Sequence, residues 1–398
     1  MGDKDDPSEV PPRREREAKA WALAQAFEAL PIDTPEADEQ ARQWLAAVKP
    51  QSHVGSLHHT VPRFILQRWA RDGQVLVYSR VDRQVSVRNV KDLGMKDFYS
   101  FIDIDGRLDS TYESLLGEVE APAAAAISRL LSPFGLAAAV TPEELFRLAQ
   151  MVAFQVVRTT RRRRELELQA EWYAKTMARG RVADAALREV SVVPHQNELV
   201  QLSFSVAEKL MPFVAFRPAA LVVLDKPQLL LGDEPVLVNA GPDDGGHHPD
   251  CFLTDDQIRR RIAKEQRKKL RLRRQVGRVV HFRPTATHGL GVALELLLPV
   301  SPRAAIWWGP LSDVPFEGPV EVERLSAQES QRFAALANEA TREQALDWII
   351  STVADSTFTT RTFPDPGPLM TVCDGNNAAA SALNEIPTRF RPHRLERP

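Results

Sequence analysis

The chain has 398 residues, 43% hydrophobic and 26% charged, which suits a folded body with a sizeable core. Lys and Arg total 51 against 53 Asp and Glu, so a global attraction to nucleic acid or membrane is excluded and only local patches can argue for either. Cys251 and Cys373 stand far apart, which excludes a Cys-x-x-Cys metal site and a disulfide framework.

The opening MGDKDDPSEVPPRRERE is charged and proline-rich and lacks the apolar run of a secretion signal. A disordered N-terminus is expected over 1–18. The most apolar run, LGVALELLLPV, is too short to span a bilayer and carries Glu295. A cytoplasmic protein with no membrane contact is therefore the expectation. Over 19–50, Trp21, Leu23, Phe27 and Leu30 share a rough stripe, and Pro35 after Thr34 starts a second helix bearing Trp44, Leu45 and Val48. These predict a helical hairpin ahead of a main domain over 51–353, with a flexible tail over 354–398.

The stretch LHHTVPRFILQRWARDGQVLVY, from Leu57, sets two histidines before a Val-Pro helix start. Thr60 is the expected cap, Pro62 takes the first turn, and Phe64, Ile65, Leu66 and Trp69 form an apolar face. QVLVYSRVDRQVSVRNV alternates apolar and polar residues and predicts a hairpin, although its turn has no Gly or Asn. DSTYESLLGEVEAPAAAAISRLL predicts a helix kinked or split at Pro122. TPEELFRLAQMVAFQVVRTTRRRRELELQAEWYAKTMA predicts one long helix. Thr141 caps it, Pro142 takes the first position and Glu144 closes a capping box. Another helix is expected near HQNELVQLSFSVAEKLM.

The texture then changes. ALVVLD, QLLLG, VLVNA, RVVHFRP, VALELLLPV and AAIWWG are short apolar runs bounded by Pro, Gly and Asp, and they predict strands. A basic helix, TDDQIRRRIAKEQRKKLRLRRQ, interrupts them. SAQESQRFAALANEATREQALDWIISTV predicts a closing helix with a Ser326–Glu329 capping box. The order gives an α+β fold: a mainly helical N-terminal half with a small β-hairpin, then a mixed or antiparallel sheet in the C-terminal half.

Seven boxes stand in order: HTVPRFILQRWA from His59, KDFYS ending at Ser100, YESLLGEVE from Tyr112, AQMVAFQVVRTTRRR from Ala149, LLGDEPVLV from Leu230, LLPVSPRAAIWWG from Leu297 and LANEATREQALDWIIS from Leu336. The series resembles a widespread bacterial family of unknown function. That family's boxes include His-x-Val-Pro-x-x-x-Leu, a Gln-x-x-Arg helix, an Asp-x-Pro turn and an Asn on the last helix. The resemblance covers roughly 58–352 and implies no activity. Glu234 departs from it, standing where a small polar residue is expected, and His58 is an extra histidine beside His59.

Several side chains can carry chemistry. His59 serves as base or ligand, or else as a structural imidazole bonded to nearby backbone. Glu113 and Glu120 lie two turns apart on one helix face, suited to a divalent metal or to acid–base work; the alternative is a solvated acidic stripe. Gln155 stands in an apolar segment and must find a partner, structural or ligand. Arg158, one turn on, either clamps a phosphate or pairs with Glu113 or Glu120. Asp233 ends a strand before a turn, a place for a catalytic carboxylate or a turn cap. Asn338, inside the last helix, needs a tertiary bond.

Two basic runs remain. RTTRRRRE reads as a solvated face. The segment around Arg261, with Arg267, Lys268 and Lys269, is positive almost all round and suits a phosphate backbone.

These residues support two expectations. One is a metal-dependent hydrolase or nuclease acting on a phosphodiester or nucleotide. In it His59, Glu113, Asp233 and Arg158 are catalytic, Glu120 holds the divalent metal, and Gln155, Asn338, Arg267, Lys268 and Lys269 bind substrate. The other is a non-catalytic module that binds nucleic acid or a protein partner. Its polar boxes form a buried structural network.

Overall fold

The computed structural model describes residues 13–28, 58–96, 101–102, 108–109, 111–132, 140–178, 192, 194–239, 280–284, 289–364, 369–374 and 377–383. The first part of the chain gives α1 (Arg13–Glu28), β1 (His58–His59), α2 (Arg63–Leu66), β2 (Gln74–Ser79), β3 (Gln84–Asn89), β4 (Met95–Lys96), β5 (Phe101–Ile102) and β6 (Leu108–Asp109). Helices follow: α3 (Thr111–Leu130), α4 (Pro142–Val157), α5 (Thr160–Ala178), α6 (Gln196–Leu210) and α7 (Pro212–Ala215). Then come β7 (Ala219–Val223), β8 (Leu231–Gly232), β9 (Leu237–Asn239), β10 (Val280–Pro284), β11 (Glu295–Ser301), β12 (Ala304–Trp308) and β13 (Glu321–Arg324). The rest is α8 (Ala327–Gln344), β14 (Trp348–Ser351), β15 (Met370–Asp374) and β16 (Asn377–Leu383). The fold is α+β.

Alternation along the strands decides what each sheet face meets. The five-stranded sheet runs β13-β7-β12-β11-β9, antiparallel except for the β13–β7 pair. Leu221, Leu296, Leu298 and Ile306 point into the main core with α3 and α4 residues such as Ile127, Leu148 and Val152. Their neighbours Val222, Leu237 and Ala305 face the other way, onto Ala334 and Ala337 of α8. Helices therefore cover both faces. The second sheet runs β3-β2-β14-β8, all antiparallel, and Trp69 beside it donates its indole N–H to the Leu229 carbonyl at 3.0 Å.

Several expectations meet their elements. The β2–β3 hairpin forms, with Arg83 at φ 53° filling the turn position that lacks glycine. Both capping boxes form, Thr141 with Glu144 and Ser326 with Glu329. The apolar runs from Ala219 to Trp308 hold strands β7 to β12.

Others need correction. The long helix expected from Thr141 breaks at Arg158, where φ −93° and ψ 4° cap α4, and α5 begins anew at Thr160. The buried hold on Arg158 described below favours that break over a straight continuation. Helix α3 runs through Pro122 unsplit. The closing helix stops at Gln344, and LDWIISTV supplies β14 instead, because its four strand residues are all buried between β2 and β8. Thr60 does not cap α2; its hydroxyl donates to the Gly94 carbonyl. The tail is not wholly loose, since β15 and β16 pair with each other and β15 with β10. Helix α1 begins at Arg13, inside the segment expected to be disordered. The second helix of the expected hairpin and the basic segment around Arg261 lie outside the described residues.

Candidate functional site

The His58–Thr60 segment is the hub of the polar boxes. Its pairing with β4 sets His58 opposite Lys96 and His59 opposite Met95. The preceding Gly94 takes φ +67°, and a Cβ there would lie 3.1 Å from the Thr60 hydroxyl and 3.2 Å from Trp348, so the close approach requires glycine. From the α4 side, Gln155 donates to the Thr60 carbonyl at 2.9 Å, and Arg158 Nε donates to the same oxygen at 3.1 Å. Arg158 also reaches the His59 carbonyl at 3.4 Å and pairs with Glu120 of α3. The two buried polar residues of the Gln-x-x-Arg helix thus grip main chain at the histidine box.

His59 itself is half-buried. Its Nδ1 lies 3.0 Å from the Leu93 carbonyl. A carbonyl only accepts, so Nδ1 carries a proton. Glu120, partly exposed, shares the Arg158 guanidinium with the His59 main-chain carbonyl.

A second cluster abuts the first across the α4–α5 break. Asp233 is fully buried and accepts the N–H groups of Leu346 at 2.8 Å and Asp347 at 2.7 Å. Burial raises its pKa to about 7, helped by the Asp347 carboxylate and opposed by those two N–H groups and by Arg161. Glu234 is raised as well, by burial and then by Asp233; it accepts the Arg161 N–H at 3.2 Å. Arg161 donates to the Gln344 carbonyl at 3.0 Å. Lys96, the strand partner of His58, pairs with Asp347 at 3.0 Å and links the two clusters.

His59, Glu120, Gln155 and Arg158 therefore come together, and Asp233 joins them through Asp347 and Lys96. Asn338 does not. It accepts from the Leu230 N–H at 2.8 Å and donates to the Gln228 carbonyl at 2.9 Å, clasping α8 to the segment that leads into β8. Glu113 lies in α3, but its side chain is outside the described residues, as are Arg267, Lys268 and Lys269. Among the described residues, no three His, Cys, Asp or Glu side chains gather as metal ligands, and no helix is long and apolar enough to cross a membrane.

The run RTTRRRRE is not a solvated face. Arg161, Arg164, Glu165 and Glu167 are buried, and pairs form from Arg162 to Glu165 at 3.0 Å and from Arg164 to Glu167 at 2.7 Å. The acids three and four residues on were the available signal. Lys96 and Asp347 carried none, since each looks like an ordinary surface charge.

No curated protein and no solved structure matches the chain. A family model described as "Protein of unknown function (DUF4238)" matches residues 57–355, a span that holds both clusters and the two sheets that position them, β15–β16 lying beyond it. The chain belongs to the DUF4238 family.

Proposed function

We propose that the domain is a non-catalytic module that binds nucleic acid, with the family's polar boxes acting as its internal frame. The observation that carries this reading is the set of main-chain partners around Asp233 and Arg158. Both oxygens of Asp233 accept N–H groups, and all three guanidinium nitrogens of Arg158 are engaged by His59, Thr60 and Glu120. A hydrolytic scheme asks these groups to meet substrate, and here they hold the fold. Ligand contact then falls to the segment 257–275, which is rich in Arg and Lys with Glu265 as its acid. A run of this composition gives salt-dependent, sequence-independent attraction to phosphates.

The test is anisotropy of labelled DNA and RNA oligonucleotides with the full chain across a salt series. Changing Arg267, Lys268 and Lys269 together to Glu is expected to weaken binding and to reduce the salt slope by about 2–3. A parent chain that binds neither oligonucleotide at low salt overturns the reading.

One observation favours a second reading. The half-buried His59 ring is held by its Nδ1 on the Leu93 carbonyl at 3.0 Å, and the His59 main chain shares the Arg158 guanidinium with Glu120. Turnover of a phosphodiester such as bis-p-nitrophenyl phosphate, lost in His59→Asn at unchanged Tm, would transfer the function to that imidazole.

A further inference from the structure

Helix α1 is fastened to the body close to Arg217. Arg16 donates to the Val292 carbonyl, Ala20 is buried against Gly291, and Lys19 pairs with Asp313 at 3.0 Å. Arg217 holds the neighbouring carbonyls of Leu290 at 2.7 Å and Ala293 at 2.8 Å. Burial pulls the Arg217 pKa down to about 10, and the charge of Arg16 adds to the fall, so the two cations feel each other. The chain therefore enters α1 beside Arg217. The residues just before Arg13 read PSEVPP, with Pro7, Pro11 and Pro12, and lie outside the described residues.

Arg217 also lines a cleft of about 160 Å³. Proline and aromatic rings stand in its walls: Pro142 and Phe146 of α4, Trp308 of β12, and Pro315 and Phe316 of the loop that carries Asp313. Phe146 is 43% exposed, and the lining residue Glu317 is exposed as well. Main-chain bonds tie the loop down: Gly309 to Pro218 at 2.9 Å, Ser312 to Phe216 at 2.6 Å and Phe316 to Ala215 at 2.9 Å. The cleft is thus built before anything enters it, which lowers the ordering cost of binding. Arg217 itself is spent on the carbonyls of Phe213, Leu290, Ala293, Leu294 and Gly309. With these polar groups engaged by one another, an occupant gains by apolar surface and loses by each unpaired N–H it buries. Proline has no N–H to bury.

We propose that this cleft is the docking site of the chain's own PSEVPP segment, seating a prolyl ring of Pro11 or Pro12 among its aromatic walls. The reach is sufficient. Arg13 stands within one helical turn, about 5.4 Å, of Arg16, and six residues of polyproline helix span about 19 Å. The size fits, since an apolar cavity of about 150 Å³ accommodates a ring as large as benzene. The recognition is of a known physical kind: proline-rich chain, already extended, loses little entropy on entering an aromatic-lined groove. Charge agrees, because the segment runs on into Arg13 and Arg14 and the cleft carries Glu317. A short tether gives an effective concentration in the millimolar range, so a shallow cleft suffices. A proline-rich partner from outside has to compete with this internal one. The site is separate from the nucleic-acid reading.

The test is photocross-linking in the full chain, with p-benzoylphenylalanine in place of Val10 and the products mapped by mass spectrometry. Cross-links within one chain to residues 142–149 or 315–317 are expected. Phe146→Ala removes a wall, and Pro11→Gly with Pro12→Gly removes the rings; each is expected to lower the cross-link yield about threefold or more. Phe146 is partly exposed and the two prolines precede α1, so both variants are expected to keep the parent Tm. Cross-links that map elsewhere, or that join two chains and so assign the cleft to a second copy, overturn the proposal. So does the absence of any cross-link, or a yield unchanged in either folded variant.

Discussion

Arg158 is 3% exposed, and its guanidinium holds two carbonyls and a carboxylate. Truncation would strand Glu120 and leave the His59 and Thr60 carbonyls short of donors. Arg158→Ala is expected to cost about 3 kcal/mol, read from the urea midpoint at unchanged m. Arg158→Lys should recover little, since one ammonium cannot reproduce the planar fork. Asp233 makes a pH prediction. Its folded pKa is raised from 3.8 to about 7, so the folded state holds the proton more tightly than the unfolded chain. The stability this group contributes is fully present below the ordinary aspartate value and is lost as pH rises through about 7. Asp233→Asn is expected to flatten the decline across that window in urea unfolding; parallel curves for parent and variant would refute it. Gln155 and Asn338 were legible because a polar residue in an apolar helix must find a partner. Arg161 was not, because its partners Glu234 and Gln344 are distant in sequence and only the acids three and four residues on hinted that the arginine run is paired.

Helix α8 and strand β14 show where letters stop deciding elements. Between Gln344 and Ser351 stands neither Gly nor Pro, yet Ala345 turns extended at ψ 138° and the chain enters a sheet. The strand is imposed by β2 and β8, partners distant in sequence, so the local pattern could not announce it. Ile349 is wholly buried there, and Ile349→Ala is expected to cost about 2–5 kcal/mol. That loss is far above what a fraying helix end would show, and the denaturation midpoint decides between the two. On β8, a Cβ at Gly232 would come within 2.9 Å of the Ala345 Cβ and 3.4 Å of Thr341. Gly232→Ala is therefore expected to cost about 1–3 kcal/mol by the same measurement. The capping boxes and β7 to β12, by contrast, were readable because their cues are local: a Ser or Thr three residues before a Glu, and short apolar runs between breakers.

At the scale of the molecule, two sheets share a helical core, and the second is assembled from distant parts of the chain. Its order β3-β2-β14-β8 joins residues 74–89 to 231–232 and 348–351. A chain ended at Gln344 loses the strand that joins the hairpin to β8 and is expected to unfold without a cooperative transition, a result calorimetry would reveal. During synthesis on a ribosome, the β2–β3 hairpin emerges hundreds of residues before its neighbour and must wait with one flank uncovered. The nascent domain is thus open to chaperones, proteases and stray strand partners until almost the last of the matched span has left the exit tunnel.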